Sequence, residues 1–256
     1  MSINKYIKVS VFIFGSFSFG WAYGTVLHEL GHAIAVWATG GVVQEITINP
    51  LSWSYTFYSG VINYPQLVTW SGLILGSAMG LFIFFLVRKW TSYFLVPFLF
   101  LGLAPLLLGG GYYLVDTFVS TTGDAYSLIQ AGVSKYIVLS VAFITLALGT
   151  YYMIQITDRL GIKSQDTFIE RVSLLGSGII PFFILTLIYA VLYAKEDIPT
   201  FFAANAVALC FVLFISWVSL RTQKQDEKIE EIEWEHTFFA ALLGLTAIVA
   251  PYLIFN

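Results

Sequence analysis

Seven mostly apolar stretches, at roughly 7–39, 66–87, 92–115, 136–157, 172–194, 200–220 and 237–255, leave this chain few ways to fold. About 20 such residues in a row suffice to cross the hydrocarbon core of a bilayer as a helix. In lipid every backbone polar group must be satisfied within the protein, and a helix does this by itself. The expected fold class is an all-α polytopic membrane protein of about seven transmembrane helices. Composition agrees, because 58% hydrophobic and only 11% charged residues over 256 positions are too apolar for a soluble domain of that length. The connectors are short, so residues 1–256 read as a single integral membrane domain whose surroundings are the lipid bilayer.

The 12 basic and 15 acidic residues form short clusters with no basic stripe, which argues against a nucleic-acid partner. The single cysteine, Cys210, lies in an apolar run and excludes an internal disulfide or a cysteine-rich metal site. Lys5 and Lys8 precede an apolar run that continues past Trp37 without a small-residue cleavage site, so this segment is expected to stay in the mature protein. Lysine and arginine counts on successive connectors run 2, 0, 2, 1, 3, 1, 3 and 0, which places the N-terminus in the cytoplasm if there are seven spans.

The connector from Gly40 to Pro65 has a pattern of its own. Ile46 and Ile48 alternate with Thr47 and Asn49, and Trp53, Tyr55 and Phe57 alternate with Ser52, Ser54 and Thr56. That period of two, divided by Asn49-Pro50, predicts a short β-hairpin at 42–58 after the first helix. Its apolar side chains, Trp53, Tyr55 and Phe57, would lie on the membrane surface or on the bundle, as a structural flap or as a docking edge for an extended substrate. The first apolar segment is overlong, since about 33 residues at 1.5 Å each reach roughly 50 Å against a core of about 30 Å. Gly15, Gly20 and Gly24 there, and Gly72, Gly76 and Gly80 in the second segment, suggest that the first two helices pack closely.

Inside that first segment stands His28-Glu29-Leu30-Gly31-His32. Residues four apart share one helix face, so both imidazoles can reach one metal ion while Glu29 stands beside the open coordination position. This is zinc-hydrolase geometry, with Glu29 as general base towards water. A chain with three histidines produces the pattern by chance roughly once in a thousand, and ionisable groups inside membrane segments are costly enough to mark functional sites. A catalytic zinc takes three protein ligands. Candidates for the third are Asp116, at the end of the third segment, Asp124, and His236, which sits in an acidic connector.

The run Val26-Leu27-His28-Glu29-Leu30-Gly31-His32-Ala33, followed by Gly40-Gly41 and a β segment, resembles the site-2 protease family of intramembrane zinc metalloproteases. In that family the third ligand is an aspartate beside a glycine at the start of a later membrane helix. The resemblance gives that role to Asp124, which follows Gly123, with Gly-Asp-Ala standing where the family has Leu-Asp-Gly. It covers roughly residues 20–135, making 1–135 the expected metalloprotease core and 136–256 additional helices of unassigned role. It also implies a metal site facing the cytosol, whereas the charge count puts the hairpin end outside.

The reading is an intramembrane zinc metalloendopeptidase with one Zn2+ held by His28, His32 and Asp124, acting on a transmembrane protein substrate. A divalent-metal transporter or sensor, and a non-proteolytic relative that binds membrane helices, are the alternatives.

Overall fold

The computed structural model describes residues 3–51, 54–87, 89, 92–118, 123–160, 168–193 and 232–255. Its elements in chain order are α1 (Ile3–Ala38), β1 (Val42–Thr47), β2 (Tyr55–Ser59), α2 (Pro65–Val87), α3 (Val96–Phe118), α4 (Asp124–Gln130), α5 (Lys135–Arg159), α6 (Phe168–Tyr193) and α7 (Trp234–Phe255). Among the described residues, six helices are long and apolar enough to cross a membrane. The seventh expected span, 200–220, lies outside the described residues, as does Cys210.

The overlong first segment is one uninterrupted helix of 36 residues without proline, with apolar residues around its whole circumference. A helix of that kind belongs in the middle of a bundle, and α1 touches α2, α3, α6 and α7. Phe12, Phe17 and Trp21 are its buried anchors, in one cluster with Phe100, Phe182 and Phe183. Among lipid chains helices associate by close packing more than by the hydrophobic effect, and glycines allow it here. A Cβ on Gly15 would overlap the Ala240 backbone of α7, and one on Gly20 the Phe100 backbone of α3. The expected contact of α1 with α2 is made instead by Gly31, where a Cβ would lie 2.9 Å from the Gly72 Cα.

Contacts also fix the sense of α2, α3 and α6 relative to α1. Tyr6 Oη donates to the Ser173 carbonyl, 2.9 Å away, and Phe17 meets Phe182 further along, so α6 runs parallel to α1. Phe12 meets Tyr93 and Gly24 meets Pro105, giving α3 the same sense. The pairing of Gly31 with Ser71 and of His28 with Gly76 makes α2 antiparallel. The hairpin and α4 therefore lie at one end of the bundle, the end towards which the His28 motif is displaced.

The hairpin is a two-stranded antiparallel sheet with Val42 opposite Ser59, Ile46 opposite Thr56 and Thr47 opposite Tyr55, with a bulge between Val43 and Glu45. Its loop turns into the bundle. Ile48 is fully buried, Asn49 Nδ2 donates to Tyr189 Oη of α6 at 2.9 Å, and Leu51 packs against the central cluster.

Candidate metal centre

His28 and His32 lie one turn apart on α1, and both imidazoles turn towards α2 and α4. Asp124 is the first residue of α4, which is held by Ala125 and Leu128, both fully buried against Leu73, Tyr113 and Val138. This puts Asp124 Oδ2 3.1 Å from His28 Nε2 and 3.3 Å from His32 Nε2, and the two nitrogens are 3.0 Å apart. Tetrahedral bonds of about 2.0–2.1 Å separate ligand atoms by about 3.3–3.4 Å. One ion at bonding distance from all three atoms fits this triangle, and two imidazoles with one carboxylate are a donor set that suits zinc.

The surroundings orient these groups. His32 Nδ1 lies 2.7 Å from the buried Val68 carbonyl oxygen. Donating there, the ring leaves its Nε2 lone pair free to face the centre. Glycine at 72 is required by space, because a Cβ would lie 2.5 Å from His32 Nε2 and 2.8 Å from His28 Cε1. Burial pushes the Asp124 carboxyl upward, but the His32 and His28 imidazoles, when protonated, outweigh it and hold the group well below the usual carboxylate range. That direction favours the ionised carboxylate, the form a metal ligand must take.

Glu29, on the same face of α1, is 4% exposed, and its carboxylate accepts a hydrogen bond from Thr56 Oγ1 of β2 at 2.8 Å. A cavity of about 470 Å³ joins these residues and runs down α1 past Thr25 to Trp21, with α2 and α3 as its other walls and β2 over its mouth. At this level α3 is tied to α2 by Tyr113 Oη, which donates to the Thr69 carbonyl at 3.1 Å.

The other candidates lie elsewhere. Asp116 lines the cavity but is not among the converging ligand atoms, and its carboxylate lies against Gly123. His236 is at the start of α7, where its Nδ1 accepts the Glu233 backbone N–H at 3.1 Å and its ring packs on Phe94. There it does the work of a helix-capping side chain. Of the three hairpin aromatics, Tyr55 lines the cavity, Phe57 is 58% exposed and does not, and Trp53 lies outside the described residues. The hairpin residue that hydrogen-bonds Glu29 is Thr56, on the polar side of the alternation. Gly72 belongs to a glycine series whose spacing suggests helix packing, and the Val68 carbonyl carries no signal in the sequence.

No curated protein and no solved structure matches the chain. A family model described as Peptidase M50B-like does, over residues 21–172, which take in the motif, the hairpin, Asp124 and the helices to the start of α6. Covering more than half of the chain, that match makes this multi-pass membrane protein a member of the site-2 protease family.

Proposed function

We propose that the chain is a zinc metalloendopeptidase that hydrolyses a peptide bond in or near a membrane-spanning segment of its substrate. The observation that supports this reading best is the convergence of His28 Nε2, His32 Nε2 and Asp124 Oδ2 within 4.8 Å of one another, with Glu29 beside them in the same cavity. Zinc in such a site supplies Lewis acidity and brings the pKa of water to about 7. His28, His32 and Asp124 hold it. Glu29 takes a proton as water adds to the carbonyl carbon, and returns it to the departing amine nitrogen as the C–N bond breaks. Thr56 Oγ1 keeps the Glu29 carboxylate turned towards the cavity.

The site lies about 9–15 Å along α1 from its Ala38 end, at a depth where a helical substrate shields its own peptide bonds. Such a segment must be unwound to react, and the edge of β2 that pairs with no strand among the described residues offers hydrogen bonds to an extended strand. The test is Glu29→Gln in the full chain, reconstituted with a panel of labelled single-span polypeptides. Cleavage should fall by 10²-fold or more with bound zinc unchanged. Undiminished cleavage would refute the assignment of Glu29, and metal transport without cleavage would favour a transporter.

A further inference from the structure

His28 and His32 are placed by the regular geometry of α1, but Asp124 comes from a helix of seven residues whose own N-cap, Gly123, has no side chain to cap it. N-terminal helical amides without a partner make a short helix fray. Asp116, eleven residues further along α3 than Pro105 and 7% exposed, supplies what Gly123 lacks. The Asp116 carboxylate lies against the first turn of α4, beside Gly123 and facing the Ala125 backbone N–H. Ala125 is the second residue of α4, and its amide is one that an N-cap side chain ordinarily satisfies.

Gly123 is shaped to this contact. Its φ is 98°, and a Cβ there would strike the carboxylate, with the Asp116 Cγ 2.7 Å away. The carboxylate thus occupies the space of the missing cap side chain. We propose that Asp116 is a positioning residue, which caps α4 from α3 and so holds Asp124, the residue between Gly123 and the capped amide, against the histidine pair. This rests on the reading of His28, His32 and Asp124 as the metal site. A second carboxylate so near Asp124 is electrostatically unfavourable to it, so the useful property of Asp116 is its acceptor oxygen and not its charge.

The distinguishing variants are Asp116→Ala, which removes the acceptor, and Asp116→Asn, which keeps an oxygen and drops the charge. Zinc affinity would be measured on the full chain in detergent by competition with a chromophoric chelator, with Asp124→Ala as control. Amide exchange across 124–130 would be followed in the metal-free protein. Asp116→Ala should weaken zinc binding about 10- to 100-fold and speed exchange in α4, while Asp116→Asn should stay within about threefold of the parent. Gly123→Ala, which displaces the carboxylate without removing it, should reproduce the loss and covers the case in which Asp116→Ala does not fold.

Parent affinity in Asp116→Ala or Gly123→Ala, beside a weakened Asp124→Ala, would overturn the positioning role and leave the metal site standing. Equal losses in Asp116→Ala and Asp116→Asn, or a loss without faster exchange, would overturn it as well. Parent affinity in Asp124→Ala would instead reject the metal site.

Discussion

The histidine pair depends on a residue that carries no side chain. Val68 and Gly72 are one turn apart on α2, so the carbonyl that orients His32 and the gap that admits both rings lie on the same face. Ser71 Oγ also donates to the Val68 carbonyl, at 2.5 Å, which fixes that oxygen further. Alanine forms helix better than glycine by about 1 kcal/mol, so Gly72→Ala should leave α2 intact while its methyl group forces the imidazoles away from the centre. Zinc affinity is expected to fall about 10- to 100-fold with the thermal transition of the metal-free protein unchanged. Chelator competition checks this, and parent affinity would show that the rings can give way at no cost. His28, Glu29 and His32 are legible in the sequence because their geometry is internal to one helix. The role of Gly72 was not, because it exists only once α2 lies against α1, and glycine spacing states that something comes close without saying what.

Among the elements, the hairpin was legible in existence and register of alternation but not in which side faces inward. Strand patterns are ordinarily read with apolar residues towards the core. Here the bundle face of β2 meets a buried carboxylate, so Thr56 turns inward to Glu29, while Tyr55 and Phe57 are 48% and 58% exposed. Their exposure suits contact with a substrate strand. Tyr55→Asp would set a carboxylate near Glu45, to which the Tyr55 hydroxyl now donates at 3.3 Å, and would charge the edge that a strand must approach. Cleavage should fall about tenfold, equivalent to about 1.4 kcal/mol of docking energy, with zinc content unchanged. Cleavage at the parent rate would reject the docking role and leave the hairpin as a flap. α4 was hidden for a different reason. Asp124 has the sequence context of an N-cap, yet the cap position falls to Gly123 because a carboxylate from another helix fills it.

Across the whole molecule, the apolar runs reveal how many helices can span a bilayer, but not which of them meet. The partner of Gly15 is α7, the last helix in the chain, and nothing near Gly15 announces it. The resulting bundle has two separable parts. Aromatic packing around Phe12, Phe17, Trp21, Phe100 and Phe182 knits α1, α3 and α6 together through a cluster that contains none of the candidate ligands. The candidate metal centre joins α1 to α4 at one end, through residues 28, 32 and 124. A ligand that binds only the folded state stabilises it by about 2.7 kcal/mol at a hundred times its dissociation constant, and a chain of this size shifts its melting temperature by about 2–4 °C per kcal/mol. Chelation should therefore lower the apparent melting temperature in detergent by about 5–10 °C, leave helix content unchanged before the transition, and be reversed by added zinc. In Asp124→Ala the same treatment should produce little shift, because the parent's metal-free state is already reached. An equal shift in both proteins would mean that the chelated ion stabilises the bundle from somewhere other than His28, His32 and Asp124.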